Sequence, residues 1–144
     1  MRDGACLAID SSGLIAILCD EPERAEFNTK LAEYPRRIIS AANLLETRIV
    51  LFRRGGDAQI ALLGELLLRA RIEAVAVNLD MVDLAFDAFR RFGKGVGRPG
   101  VLNFGDCFAY ALAKVENAPL LFKGNDFAHT DVVPALPLPS RDEN

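Results

Sequence analysis

Short apolar runs that alternate with longer helical stretches predict an α/β fold: a single domain with a central, mostly parallel sheet of about four to five strands flanked by helices. Three observations carry this. The runs "CLAID" (6–10), "RRIIS" (36–40), "IEAVAVN" (72–78) and "APLLFKG" (118–124) recur between amphipathic segments. The 144 residues, 51% hydrophobic and 26% charged, are enough for one ordinary domain with a real core. No repeat or low-complexity linker divides them.

The elements follow in order. The run 6–10 is apolar and ends in Asp10, as a buried parallel strand would. "SSGLIAILCDE" (11–21) reads as a helix with Ser11 or Ser12 as N-cap. "EPERAEFNTKLAEY" (21–34) is a second, amphipathic helix with Pro22 near its first turn. A strand at 36–40 leads into a helix over 41–54, stopped by Gly55 and Gly56. Asp57 caps the next helix, 57–71. The β-branched run 72–78 is a strand, and 79–93 is a helix with Phe86 and Phe89 on its apolar side. "KGVGRPG" (94–100) is a Gly/Pro loop. "LNFGDCFAYALAK" (102–114) is a helix, 118–124 a strand, and "DVVPAL" (131–136) a last, shorter strand. The domain is expected to span 1–136, with 137–144 a frayed tail.

Composition narrows the function. A net charge of -3 and a pI near 5.2 argue against a protein that coats nucleic acid non-specifically, while leaving room for a local basic strip. Cys6, Cys19 and Cys107 are odd in number, lack C-x-x-C spacing and sit in apolar segments, which suits a reduced compartment. No run approaches the roughly 18 apolar residues of a membrane span. Asp10 interrupts the signal-like N-terminus and no small-residue cleavage site follows, so a cytoplasmic protein is expected. The G-x-x-x-x-G-K-[ST] and G-x-S-x-G orders are missing, and His129, the only histidine, reads as incidental.

Four acids stand where an α/β site gathers its groups. Asp10 ends the first strand, and Asp126 in "FKGNDF" follows a later strand end. Glu46 has Ala42, Ile49 and Val50 at minus four, plus three and plus four, so it emerges from an apolar helix face. Asp106 is the only charge before Lys114 in a helix that is apolar on almost every side. Each acid has a plainer use: Asp10 as an N-cap, Glu46 as a partner of Arg53 or a solvated residue, Asp106 as a first-turn acid favoured by the helix dipole, Asp126 as a turn residue. Those uses leave their common placement unexplained. Four carboxylates drawn together repel and resist ionisation unless a cation neutralises them. A hard ion such as Mg²⁺ or Mn²⁺ prefers such oxygen ligands, and it can activate water for attack on a phosphodiester.

The order "AIDSSGLIAIL … ANLLET … NFGDCFAYALAK … PLLFKGNDF … TDV" resembles the PIN-domain ribonucleases, specifically the VapC-type toxins of bacterial toxin–antitoxin pairs. The resemblance covers nearly the whole chain. It puts Asp10, Glu46, Asp106 and Asp126 on the family's acidic metal-binding and catalytic positions, with Asp10 and Asp106 as metal ligands. Ser12 fits the hydroxyl two places after the first acid, and Thr130 and Asp131 fall where further polar groups approach the site. The resemblance implies Mg²⁺- or Mn²⁺-dependent endonucleolytic cleavage of RNA, a homodimer, and inhibition by a cognate antitoxin.

Arg90, Arg91, Lys94 and Arg98, in "RRFGKGVGRPG", are candidate contacts for RNA phosphates, or else cations solvated at a helix C-terminus. Arg53, Arg54 and Lys123 are weaker candidates. "NLLETRIVLF" and "ALLGELLLRAR" offer more apolar surface than a small monomer needs, as a dimer face or an antitoxin groove, although most of these leucines belong in a core. Two other classes fit part of the pattern. A Mg²⁺-dependent phosphatase or phosphoacceptor domain also follows its first strand with an Asp, but it wants a second acid where Ser11 and Ser12 stand. A non-catalytic binding module would keep the fold without needing the acids.

Overall fold

Side chains of strand β1 (Cys6–Ile9) alternate across a sheet: Cys6 and Ala8 enter one core, Leu7 and Ile9 the other. This division organises the chain. A computed structural model describes residues 6–96 and 100–138. After β1 come α1 (Ser11–Leu18), α2 (Arg24–Ala32), β2 (Arg36–Ser40), α3 (Ala41–Arg69), β3 (Ile72–Val75), α4 (Leu79–Phe92), α5 (Phe104–Val115) and β4 (Leu120–Leu121). The four strands form one parallel sheet in the order β3-β2-β1-β4. All four strands are buried to some degree, and β1 wholly so, which is why its four residues read as an unbroken apolar run.

Helices cover both faces. Leu14 and Ile17 of α1, Phe27 and Leu31 of α2, and Leu51, Leu63 and Leu66 of α3 pack with Leu7, Ile9 and Ile39 on one side. Met81, Ala85 and Ala88 of α4 and Cys107, Tyr110 and Leu112 of α5 pack with Ala8 and Ile38 on the other. Together they make one three-layer α/β domain. Arg37 ties the far end: its guanidinium donates to the Leu31, Tyr34 and Ala70 carbonyls, where α2 and α3 end.

Several boundaries differ from the sequence reading. The helices expected over 41–54 and 57–71 are both present as the two segments of α3, separated by a kink at Gly56, whose non-helical φ of 64° and ψ of -153° belong to glycine alone. Pro22 lies in the link between α1 and α2, outside either helix. The expected strand at 131–136 is reduced to a parallel bridge between Leu120 and Pro134, because β4 offers only two residues to pair with. Residues 139–144 of the expected tail and Arg98 lie outside the described residues.

Candidate active site

The chain steps from β1 to β2 to β3 on one side and then crosses to β4 on the other side of β1. The order therefore reverses at the carboxyl end of β1, where open α/β sheets bind their ligands. Asp10 stands there. It caps α1: its Oδ2 accepts the Ser12 amide at 3.1 Å and the Ser12 hydroxyl at 2.6 Å. The cap is the acid, not Ser11 or Ser12 as the sequence suggested, because the Asp10 backbone is extended while both serines are already helical. The Ser12 hydroxyl also accepts the Lys123 amide at 3.0 Å, joining α1 to the loop after β4.

Only one Asp10 oxygen is used in this way. The other, Oδ1, is buried without a hydrogen-bond partner. Burial is the main cause that pushes the carboxyl up to about 6, against the Ser12 hydrogen bonds and with help from the Glu46 charge. Asp106 belongs to a capping box at the start of α5. The Asn103 amide donates to its Oδ2 at 3.0 Å, and its own amide donates to the Asn103 side chain at 2.9 Å. Burial again comes first, and the charges of Asp10, Asp126 and Glu46 add to it, raising Asp106 to about 7.

Asp106 thus feels the charges of Asp10, Glu46 and Asp126, and Asp10 that of Glu46, although the four come from separate segments. Glu46, half-buried on α3, gives Oε1 to the Ser11 hydroxyl and to the Asn43 amide at 3.3 Å. Its carboxylate lies against the Gly105 backbone, a space that a β-carbon would fill. Asp126 is exposed at the rim, in the loop after β4. Among the described residues, no three His, Cys, Asp or Glu side chains close on a single point as a finished ligand set. Ser11, Asn43 and Gly105 are site residues that the sequence reading missed. "ANLLET" carried a signal, since Asn43 precedes Glu46 by three and shares its helix face.

Most of the remaining candidates have partners of their own. The Thr130 hydroxyl donates to the Phe127 carbonyl at 2.8 Å and accepts the Val132 amide, closing a turn. Asp131 accepts the Tyr110 hydroxyl at 2.6 Å and Lys114 Nζ at 3.0 Å, one and two turns along α5 from Asp106. Arg91 lies 3.4 Å from Asp87 and over the Phe92 ring, while Arg90 pairs with Asp87 over Phe86. Lys94 is exposed. Lys123 bridges Glu21 and Glu23, and Arg54 reaches the Cys19 sulfur. Phe86, 62% exposed, and Phe104, 80% exposed, line an apolar groove of about 440 Å³ between α4 and α5. Phe86 and Phe89, expected on the apolar side of α4, both line this groove, and Phe89 also packs against the core.

Residues 7–133 match the model of the PIN domain. The chain is 46% identical over 132 residues to ribonuclease VapC30 of Mycobacterium tuberculosis, covering 91% of this chain and 100% of that protein. It is 49% identical over 126 residues to a ribonuclease VapC of Mycolicibacterium smegmatis, covering 88% and 97%. Among solved structures, it resembles the M. tuberculosis sarcin–ricin-loop-cleaving toxin VapC20, with a TM-score of 0.73 at 18% identity, over 88% of this chain and 96% of the other.

Proposed function

The chain belongs to the PIN-domain family, and from that premise we propose that it is a Mg²⁺- or Mn²⁺-dependent endoribonuclease of the VapC kind, the toxin of a type II toxin–antitoxin pair. The observation that carries the reading is the burial of Asp10 and Asp106 beside the Glu46 carboxylate, which lies against the residue preceding Asp106. Burial and the neighbouring charges hold both carboxyls well above the ordinary carboxylate range. The donor set is entirely oxygen, since the Cys107 thiol, beside Asp106, is raised to about 11 by burial and stays protonated. The unpartnered Asp10 Oδ1 is aimed at nothing the protein supplies. Such a set suits a hard divalent cation.

Asp10 and Asp106 would hold the ion, Asp10 through Oδ1 while Oδ2 keeps its cap. When bound, a divalent cation would supply positive charge that favours ionisation of both acids and offsets charge on a phosphodiester. Glu46, with Oε1 held by Ser11 and Asn43, would be the carboxylate that orients the attacking water and receives its proton. The Ser12 hydroxyl keeps Asp10 in place while tying the β4 loop, and with it Asp126 at the rim, to the same corner. Ser11 and Ser12 turn back onto Glu46 and Asp10, leaving no second acid beside Asp10 for a phosphoacceptor site.

The partner reading is also a proposal. Leu45, Phe52 and Leu68 on α3 and Phe86 and Phe104 on α4 and α5 remain exposed, surfaces suited to a second copy and to a cognate antitoxin. No described helix is long and apolar enough to cross a membrane. The test is cleavage of single-stranded RNA with Mg²⁺ or Mn²⁺. Asp10→Asn and Asp106→Asn should each lose at least about 100-fold in rate. Full cleavage by either variant, or cleavage in excess EDTA, overturns the mechanism.

A further inference from the structure

We infer that Asn43 is a positioning residue of the acid pocket, whose buried carboxamide sets where Glu46 stands relative to the first turn of α5. The inference rests on the nuclease reading for what Glu46 does there. Asn43 is fully buried in the first turn of α3. Its Nδ2 donates to the Gly105 carbonyl at 2.9 Å, 62 residues away along the chain, and to Glu46 Oε1 at 3.3 Å. Both partners are acceptors, so the amide must face them with its nitrogen. Its carbonyl oxygen is then buried without a partner.

An apolar side chain would fill this position without leaving an acceptor unpaired, so packing alone does not account for an amide. What the amide adds is a link. Gly105 immediately precedes Asp106, and the Glu46 carboxylate lies against Gly105 itself. One side chain therefore holds both the acid on α3 and the backbone that carries the acid on α5. Ser11 completes the arrangement: its hydroxyl meets Glu46 Oε1 and lies 3.1 Å from the Asn43 backbone carbonyl. With Oε1 occupied from two sides, rotation of Glu46 is blocked and Oε2 is left facing Gly105.

The experiment uses the full chain and its Asn43→Ala, Ser11→Ala and Glu46→Ala variants, singly and combined. Thermal melting establishes folding, RNA-oligonucleotide kinetics with Mn²⁺ separate kcat from KM, and electron paramagnetic resonance measures Mn²⁺ affinity. Asn43→Ala should lower kcat by about 10- to 100-fold with KM changed less than about twofold. In a Glu46→Ala background it should lower kcat no further, because it acts through the group already removed. A folded Asn43→Ala protein with unchanged kcat, or a loss that multiplies in the Glu46→Ala background, overturns the inference. If Asn43→Ala does not fold, Ser11→Ala carries the same comparison under the same criteria. If the wild type fails to cut RNA, the nuclease reading falls by itself. Mn²⁺ affinity then decides: a weakening by Asn43→Ala that vanishes in the Glu46→Ala background supports positioning, and an unchanged affinity refutes it.

Discussion

The Glu46 carboxylate and the α-carbon of Gly105 are in direct contact, so that a β-carbon at 105 would overlap the carboxyl carbon and both oxygens. This contact lets α3 and α5 bring their acids to one pocket. Gly105→Ala must push Glu46 out or tilt the start of α5, at a cost of about 1–3 kcal/mol. We expect kcat to fall at least about tenfold. Removing the obstructing side chain in Gly105→Ala/Glu46→Ala should return most of the lost stability, measured by urea unfolding. A double variant no more stable than Gly105→Ala would refute the contact.

Metal-free stability should fall as pH rises. The folded Asp10 and Asp106 carboxyls, at about 6 and about 7, both lie above the ordinary 3.8. The unfolded chain therefore sheds these protons first. The stabilisation is complete below about pH 4 and is lost as pH rises through 6 and 7, by up to roughly 3 kcal/mol for Asp10 alone. Urea midpoints between pH 5 and 8 should drop more steeply for the wild type in EDTA than for Asp10→Asn. Parallel slopes would exclude burial of an ionised pair as their cause.

Asp106→Asn should separate folding from function. It removes a charge that burial and three neighbouring acids disfavour, while keeping the shape of the capping box. At pH 8 without metal the variant should melt several degrees above wild type, whereas RNA cleavage disappears. Mg²⁺ should raise the wild-type melting temperature and leave the variant's nearly unchanged. A wild-type melting temperature indifferent to both Mg²⁺ and Mn²⁺ would count against a metal in this pocket.

Asp131→Asn should weaken the fold and spare catalysis. Partial burial works against its ionisation, but hydrogen bonds from Tyr110 and Lys114 hold the carboxyl below its ordinary value. Loss of the charge leaves the buried Tyr110 hydroxyl with a weaker acceptor, worth about 1 kcal/mol. We expect kcat within about threefold of wild type, since α5 advances only about 1.5 Å per residue and carries Asp131's partners roughly 6 and 12 Å past Asp106. A kcat loss of 100-fold would return Asp131 to the active pocket.

Much of this was legible in the chain because local patterns and the global fold agree. The apolar run ending at Asp10 gave both the strand and its terminal acid, and Asp106 stood out as one charge in an apolar helix. The break at Gly56 was legible too, whereas the bridge that replaces the strand at 131–136 was hidden because β4 offers only two residues to pair with. Asn43 and Ser11 were hidden for another reason: their partners lie 62 and 35 residues away, and a polar residue on a helix does not declare which distant carbonyl or carboxylate it meets.

Asp10 divides its labour between two oxygens, one anchoring a helix and the other left bare. The shortness of aspartate matters here. One more methylene, as in Asp10→Glu, would carry the second oxygen past the corner or drag the first off the amide it grips, whereas Asp10→Asn preserves the grip and forfeits the charge. The first turn of α1 and the chemistry beside it are thus governed by a single side chain, and drift at this position is penalised twice.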